Sequence, residues 1–378
     1  MRPSLKLSRR KAIYLSLGGL SFAVASCTSS TPTATTETKP ATSSPTSTTA
    51  ANTPASTSAQ IAGGKPVSLS GAGATFPAPL YQRWFSEFNK KNSNVQISYQ
   101  SVGSGAGVKQ FIAGTVDFGA SDTAMKEEEI AKVTKGALLL PVAAGSIVLA
   151  YNLPDVKELK FSREVYANIF LGKITKWNDP AIAKINEGVK LPDLPISVVY
   201  RSDGSGTTGV FTKHLSAVSA DWKGGPGEGK SVQWPTGTGA KGNEGVTAQV
   251  QQTVGSFAYI EYGYAVQNKI SFATIENKAG KYIKADPESA SKSLAAIELP
   301  ASFIAFGPDP SGDASYPIVS YTWLLLYKKY DDPAKAEAIK AMLEWVITDG
   351  QKLSGELGYV PLPTEVVTKI KPAIATIA

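Results

Sequence analysis

Apolar residues recur along this chain with two periodicities, one typical of strands and the other of helices. Residues 67–70 and 95–102 are short runs in which apolar and polar residues alternate, as is typical of strands. The runs lead into glycine turns and then into helical segments, where apolar residues such as Leu80, Trp84 and Phe88 are spaced three or four positions apart. Strands that alternate with helices predict an α/β fold with a mainly parallel sheet.

The same alternation continues towards the end of the chain. We expect further strands over residues 116–122, 138–152, 196–200, 257–260 and 321–327, and helices over 161–170 and 333–348. Asp179 and Pro180 form a helix start, with Asp179 as the N-cap and Pro180 in the first helical position. Residues 221–245 are rich in glycine and are expected to form an ordered loop region.

Three of these units carry a hydroxyl side chain where a strand ends, the chain turns on glycine and a helix begins: Thr75, Ser104 and Ser205. The first N–H groups of a helix have no intrahelical partner, and together with the helix dipole they form a seat for an anion. In open α/β sheets, ligands bind at the carboxyl ends of strands, where such turns gather. We therefore expect a small anion held mainly by neutral donors.

The third turn carries the most chemistry, because Arg201 adds a guanidinium group and Thr207 adds a second hydroxyl. Asp122 follows another strand and is a fourth candidate. Simpler interpretations exist for each residue alone: the hydroxyls as helix caps, Asp122 as the cap of a helix over 126–135, and Arg201 as a surface charge paired with Asp203. Their joint occurrence favours an anion site.

The first 60 residues show neither of these periodicities. A basic stretch precedes an apolar core over residues 12–24, and together they predict a secretory signal peptide over 1–26. The core is short for a membrane span. Residues 24–27, Val-Ala-Ser-Cys, resemble a bacterial lipobox, in which Cys27 would be lipid-modified and become the new N-terminus. A signal that ends in simple cleavage is the alternative.

A tether is predicted after Cys27. Residues 28–60 contain 19 Ser or Thr, six Ala and four Pro among 33 positions, and no aromatic or branched aliphatic residue. Such a segment cannot bury enough apolar surface to offset its chain entropy. We therefore expect a disordered tether over 28–64 that joins a lipid anchor to a globular domain.

The formal charge of +7 comes largely from the predicted signal peptide. Residues 1–26 hold five Lys or Arg and no acid, so the rest of the chain has 33 basic and 31 acidic residues, a net charge of +2. This balance gives no argument for nucleic acid or an acidic membrane surface as a partner. Cys27 is the only cysteine, so no disulfide framework is expected.

The sequence lacks the usual signatures of enzymes. His214 is the sole histidine, lies on an apolar helix face and is interpreted as structural. The order Asp-Gly-Ser-Gly-Thr around Ser205 does not fit the nucleophile elbow of hydrolases, and no nucleotide-binding P-loop motif occurs. We expect no catalytic residue, metal or cofactor. A phosphatase that uses Asp122 is the alternative that composition leaves open.

Four motifs, in this order and spacing, make the chain resemble the phosphate-binding proteins of bacterial phosphate ABC importers, the PstS family. They are GAGATFPAP at 71–79, VDFGASD at 116–122, LGKI at 171–174 with Lys176-Trp177, and DGSGT at 203–207. The likeness extends over about residues 66–365. It implies a two-lobed periplasmic-binding-protein fold, the type II Venus flytrap, with lobe 1 over 65–149 plus 320–378 and lobe 2 over 150–319.

The resemblance also implies high-affinity phosphate binding outside the cytoplasmic membrane, hinge closure over the ion, and delivery to the permease subunits of an ABC importer. It implies a monomer on the periplasmic side of the cell envelope, anchored to a membrane only through Cys27. A binder of another tetrahedral oxyanion is the alternative. By motif, the implied ligands are Thr75, the N–H of Phe76, Ser104, Asp122, Arg201, Ser205, Gly206 and Thr207, with Asp203 orienting Arg201.

Overall fold

The computed structural model describes residues 61–378. The predicted signal peptide, Cys27 and the predicted tether up to residue 60 lie outside these described residues. The last four residues of that tether lie inside them: Ile61–Gly64 form a 3-10 turn, and Ile61 is buried. The packed part of the chain therefore begins before residue 65, where the sequence placed its start.

Strands and helices alternate through the described residues. The strands are β1 (Val67–Gly73), β2 (Val95–Ser101), β3 (Phe118–Ser121), β4 (Ala137–Tyr151), β5 (Lys160–Phe161), β6 (Ser197–Arg201), β7 (Thr238–Ala240), β8 (Ser256–Glu261), β9 (Ser271–Phe272), β10 (Thr274–Glu276), β11 (Tyr282–Ile283) and β12 (Val319–Tyr327). The helices are α1 (Ala78–Lys91), α2 (Ser104–Ile112), α3 (Glu127–Ile130), α4 (Arg163–Phe170), α5 (Pro180–Ile185), α6 (Gly206–Val218), α7 (Ala220–Gly224), α8 (Gly242–Gln252), α9 (Tyr262–Gln267), α10 (Pro287–Ala295), α11 (Pro333–Val346) and α12 (Thr364–Ala375).

One mixed sheet organises the fold, with the strand order β2-β1-β3-β12-β4-β8-β6-β7 and β9 beside β4. The pairs of β1 with β2 and β3, and of β6 with β7 and β8, are parallel. The pairs made by β12 and β4 are antiparallel. The parallel strands β1, β2, β6 and β7 lead into α1, α2, α6 and α8, and the three glycine turns that the sequence singled out lie at the carboxyl ends of β1, β2 and β6.

Strand β4 connects two halves of this sheet. Residues up to Ser146 pair with β12, whereas residues from Ile147 onwards pair with β8. We call β1, β2, β3 and β12, with the helices on them, the β1 half, and β6, β7 and β8, with α6, α8 and α9, the β6 half. The pairing changes close to the predicted lobe boundary at 149/150. That boundary, and the one at 319/320, stay predictions.

Amphipathic helices close the faces of the sheet in the way their sequence spacing predicts. On α1, Leu80, Trp84 and Phe88 are buried, and Trp84 also donates from Nε1 to the carbonyl oxygen of Gly350 at 2.7 Å. The predicted α/β fold with flanking helices is confirmed, but the large sheet is mixed and not mainly parallel, because β12 and β4 run antiparallel to their neighbours and give four antiparallel pairs beside four parallel ones. No helix among residues 61–378 has the length and apolar character that a membrane crossing requires.

Several predicted elements differ in extent. The short α3 replaces the helix expected over 126–135. Phe161, the first residue of the helix expected over 161–170, belongs to strand β5, and Ser162 then caps α4. The segment 221–245 was wrongly expected to be loop alone. It contains most of α7, all of β7 and the first turn of α8.

Candidate functional site

The turn between β6 and α6 is the one that the sequence predicts to hold an anion. Ser205 is the N-cap of α6, and its Oγ accepts a hydrogen bond of 3.0 Å from the N–H of Thr208. Gly206 and Thr207 lie between Ser205 and Thr208, and their backbone N–H groups have no hydrogen-bond partner among residues 61–378. They are therefore available, at the positive end of a 13-residue helix, to a ligand with lone pairs.

Arg201, the last residue of β6, is held by Asp203 in a two-pronged ion pair. Its Nε and Nη2 donate to the two carboxylate oxygens of Asp203 at 2.8 and 2.6 Å, and Nη1 donates to Oγ1 of Thr207 at 3.3 Å. The side chain is only 1% exposed. Burial alone would lower the pKa of Arg201, but the bonds and charge of Asp203 raise it overall, so the guanidinium stays charged. The surface-charge interpretation of Arg201 is wrong.

Asp122 follows β3 and is buried between the two halves of the sheet. Its Oδ1 accepts a 2.9 Å hydrogen bond from the hydroxyl of Thr322 on β12, and its backbone N–H donates to Oγ of Ser104 at 3.3 Å. Burial raises the pKa of this carboxyl to about 7, although Thr322, Arg201, Lys230 and Ser104 each act to lower it. Asp122 is thus a buried acid whose protonation changes near neutral pH, and it does not cap α3, whose N-cap is Lys126.

Thr75 and Phe76 lie in the turn between β1 and α1, and tyrosine hydroxyls hold that turn in place. Three consecutive carbonyl oxygens, those of Ala74, Thr75 and Phe76, each accept a 2.7 Å hydrogen bond from a tyrosine. The three donors are, in the same order, Tyr99, Tyr264 and Tyr359. Tyr264 belongs to α9 in the β6 half, so its bond joins the two halves. The N–H of Phe76 has no partner among the described residues.

Asn243, in the first turn of α8, is a site residue that the sequence reasoning missed. Its Nδ2 lies 2.8 Å from Oγ1 of Thr75 and 3.2 Å from Oγ1 of Thr207. It therefore connects the two hydroxyls from opposite halves of the sheet, and it is fully buried. A signal was present in the sequence, since Thr238–Ala240, Gly242 and Asn243 repeat the pattern of strand, glycine and helix start.

Close contacts between backbones bring the remaining residues together. A Cβ atom on Gly206 would lie 2.3 Å from Oγ of Ser104 and 2.6 Å from Oδ2 of Asp122, so the start of α6 touches both. The N–H of Gly105 donates to the carbonyl oxygen of Gly204 at 2.7 Å, directly between the halves. The structure thus gathers all eight predicted ligand residues, with Asp203 behind Arg201, in one buried cluster.

His214 lies apart from this cluster in the core. Its Nε2 pairs with the hydroxyl of Tyr166 and its Nδ1 with the carbonyl oxygen of Pro308, both at 2.7 Å. Burial lowers the pKa of His214 to about 4, so the ring is neutral at physiological pH. These contacts agree with a structural role. No group of three or more His, Cys, Asp or Glu residues within 61–378 is arranged to hold a metal ion.

Comparison with known proteins identifies relatives along most of the chain. The family model of the PBP superfamily domain matches residues 34–350. The phosphate-binding protein PstS of Pasteurella multocida is 46% identical over 308 residues, which cover 80% of this chain and 89% of that protein. PstS of Haemophilus influenzae is 44% identical over 80% of this chain and 91% of its own length, and PstS of Methanocaldococcus jannaschii is 41% identical over 78% and 82%.

Solved structures share the fold at lower sequence identity. A high-affinity periplasmic phosphate-binding protein with bound phosphate, PfluDING, has a TM-score of 0.68 at 20% identity, over 81% of this chain and 93% of that one. A phosphate-binding protein from Stenotrophomonas maltophilia has a TM-score of 0.65 at 20% identity, over 81% and 93%. At this level of identity, the likeness establishes the architecture.

Proposed function

We propose, for a chain that belongs to the PstS family of phosphate-binding proteins, that it binds inorganic phosphate outside the cytoplasmic membrane and delivers the ion to a phosphate ABC importer. The role is one of binding and not of catalysis. The proposed ligands are Thr75, the N–H of Phe76, Ser104, Asp122, Arg201, Ser205, the N–H of Gly206, and Thr207. Asp203 orients Arg201 in this proposal.

The observation that carries the proposal is a buried set of hydrogen-bond donors that lies beside the carboxylate of Asp122. Gly206 and Thr207 offer backbone N–H groups, and Arg201 offers the two N–H groups that its bonds to Asp203 and Thr207 within residues 61–378 leave over. Because the charges of Arg201 and Asp203 largely cancel, dipoles and hydroxyls supply much of the anion stabilisation. Asp122, in contact with this set, is an acid in an otherwise donor-rich site.

An acid in an anion site has a physical purpose if the anion carries a proton. Monohydrogen phosphate has an O–H group, and an ionised Asp122 can accept a hydrogen bond from it, whereas sulfate has no O–H group. Against sulfate, the carboxylate would face a second anion with no proton between them, in a buried environment of low dielectric constant. A site that pairs a substrate O–H commonly rejects an analogue without it by roughly 10⁴-fold. Asp122 would therefore select phosphate over sulfate.

Closure of the two halves over the ion is part of the proposal. The contacts of Asn243 and Tyr264 with Thr75, of Gly105 with Gly204, and of Ser101 with Glu244 at 2.7 Å all join the β1 half to the β6 half. Separation of the halves would break these bonds together and open the cluster to solvent. Small-angle scattering should show compaction on addition of saturating phosphate, and an unchanged radius of gyration would contradict closure.

The anchor and the partners are also proposed here from the sequence and the family. Lipid modification of Cys27 would hold a monomer at the membrane on the periplasmic side of the envelope, with residues 28–60 as a tether. The permease subunits of an importer would receive the ion. Metabolic labelling with a fatty acid, compared between the native chain and Cys27→Ala, tests the anchor, because the variant should lose the label.

Calorimetric titration of the chain from residue 28 onwards with phosphate, and separately with sulfate, tests the function. We expect saturable binding of phosphate and none of sulfate at equal concentration. An equal response to both ions would favour the alternative of a general oxyanion binder. A phosphatase assay on the same sample addresses the enzyme alternative, which steady release of phosphate from a phosphomonoester would support.

A further inference from the structure

Lys230 is a cation beside the proposed phosphate ligands, in the segment between α7 and β7. Its backbone carbonyl oxygen accepts a 2.8 Å hydrogen bond from the N–H of Ser205, the residue that caps α6. Its side chain is half-buried, and no carboxylate within residues 61–378 forms an ion pair with it. The main chain therefore fixes Lys230 at the start of α6, while its ammonium group keeps its charge unshared. The inference that follows rests on the proposed function.

The side chain of Lys230 lies where the two halves of the sheet meet. Gly209, in the first turn of α6, marks this place. A Cβ atom on Gly209 would lie 2.7 Å from Cγ2 of Thr123 and 3.8 Å from Cγ of Lys230. Thr123 directly follows Asp122 at the end of β3. The stem of Lys230 and the residue next to the buried acid are thus neighbours across the boundary.

The charges that act on Lys230 come from the other side of this boundary. Burial lowers the pKa of Lys230, the carboxylates of Glu129 and Asp122 raise it, and Lys126 lowers it further. Glu129 and Lys126 are at α3, which follows β3 in the chain. Burial raises the pKa of Asp122, and Lys230 is one of the charges that act against this rise. Lys230 therefore interacts with Asp122 through space, without a contact between them.

The charge balance of the cluster gives this cation a purpose. Arg201 and Asp203 form an ion pair and largely cancel each other. An ionised Asp122 then leaves the cluster negative before any anion enters, which opposes the binding of an anion. The charge of Lys230 offsets that of Asp122.

We propose that Lys230 draws phosphate into the proposed site and stabilises the bound ion by its charge, although it is not one of the proposed ligands. A charge at the wall of a cleft raises the local concentration of an oppositely charged ligand and its rate of association. Because this attraction acts through space, salt should screen it, whereas salt screens the hydrogen bonds of a closed site much less.

The test compares the native chain with Lys230→Gln at about 10 mM and about 500 mM ionic strength, where the screening length is about 30 Å and about 4 Å. Calorimetry measures the phosphate affinity, and stopped-flow fluorescence measures the association rate. We expect Lys230→Gln to weaken binding by about three- to tenfold at the lower ionic strength, mainly through slower association, and by less than about twofold at the higher. Weakening by the same factor at both ionic strengths indicates lost packing and overturns the inference, as does native-like binding at the lower one.

Two further substitutions of Lys230 separate its charge from its packing. Lys230→Arg keeps the charge and should retain the salt dependence of the native chain. Lys230→Met keeps the apolar stem without the charge and should repeat the loss seen in Lys230→Gln. Native-like binding by Lys230→Met overturns the inference even if Lys230→Gln fails to fold.

Lys340→Gln is the matched control, because it removes the same charge from another half-buried lysine. Lys340 lies on α11, which packs against β1 and α12. Lys340→Gln should bind phosphate as the native chain does at both ionic strengths, and a loss equal to that of Lys230→Gln overturns the inference in favour of an effect of net charge. A native chain that binds no phosphate overturns the proposed function and this inference together, whereas a native chain that binds it as tightly as Lys230→Gln does overturns this inference alone.

Discussion

The hydroxyl of Thr322 donates to Oδ1 of Asp122, so one oxygen of the buried carboxylate is already occupied by the protein. The other, Oδ2, lies 3.5 Å from Oγ of Ser104 and next to the start of α6. Thr322 therefore determines which carboxylate oxygen faces the proposed ligand. It also keeps the carboxylate in place without neutralising it, which leaves Asp122 able to accept a hydrogen bond from an O–H group of the ion.

Replacement of this acid should change selectivity more than affinity. In Asp122→Asn, an amide N–H can face a sulfate oxygen, so sulfate no longer meets a carboxylate. We expect discrimination between phosphate and sulfate to fall by roughly 100-fold or more, while phosphate binding weakens by about tenfold or less. Calorimetric titration with both ions measures this. Asp117→Asn is the control, since Asp117 is bound by Ser70 and Lys335 outside the cluster, and it should leave both affinities unchanged.

The same substitution should alter the pH dependence of stability in the absence of ligand. Burial raises the pKa of Asp122 from 3.8 to about 7, so the folded chain binds this proton more tightly than the unfolded chain. Its contribution is favourable below about pH 4 and is lost as the pH rises through about 7. Asp122→Asn should therefore be more stable than the native chain at about pH 8, by up to about 4 kcal/mol, and similar to it near pH 4.

Urea unfolding at several pH values, monitored by tryptophan fluorescence, measures that difference. The gain in unfolding free energy of the variant should grow between about pH 4 and pH 7 and then level off. A gain that is constant over this range would mean that the carboxyl does not titrate in the folded chain, and would contradict the raised pKa.

The hydroxyl of Tyr264 should contribute to phosphate affinity although it is not a proposed ligand. Its bond to the carbonyl oxygen of Thr75 joins the two halves, whereas Tyr99, on β2, binds the carbonyl oxygen of Ala74 within the β1 half. Burial raises the pKa of both phenols well above its usual value, so both remain donors. We expect Tyr264→Phe to weaken phosphate binding by about three- to tenfold, the equivalent of one hydrogen bond.

Tyr99→Phe is the matched control for this prediction. It removes one hydroxyl from the same row of carbonyl oxygens, but Tyr99 lies on β2, so no contact between the halves is removed. It should lower the melting temperature and change the phosphate affinity less than Tyr264→Phe does. Equal losses of affinity in the two variants would show that rigidity of the turn, and not the joining of the halves, is what matters.

The sequence alone was enough to find the groups whose contacts are with residues close to them in the chain. Ser205, Gly206 and Thr207 follow one strand and begin one helix, so the local pattern was enough to predict both the cap and the free N–H groups. Thr322 could not be placed in this way. It reaches Asp122 only through the register of β12 on β3, in which Trp323 lies opposite Ser121, and the two residues are 200 positions apart.

Asn243 and Tyr264 were missed for a related reason. Strand β7 has only three residues, Thr-Gly-Ala, and no apolar run. It was therefore not predicted as a strand, and the turn that follows it was not recognised as a candidate site. Tyr264 follows a strand that was predicted, but only the packing of α9 against the β1 turn gives its hydroxyl a partner. Thr322 did leave a signal, as the one short polar side chain in the otherwise apolar and aromatic run 321–327.

Gly206 should be required for its small size as well as for its N–H. In Gly206→Ala, the new methyl group would lie 2.3 Å from Oγ of Ser104, so α6 must move away from the β1 half. Alanine is a better helix former than glycine, so α6 itself is not weakened. We expect phosphate affinity to fall by roughly 100-fold or more with little change in melting temperature. On α8, Gly245→Ala meets its nearest neighbour at 3.7 Å and should bind as the native chain does. Near-native binding by Gly206→Ala would contradict the close approach of α6 to Ser104 and Asp122.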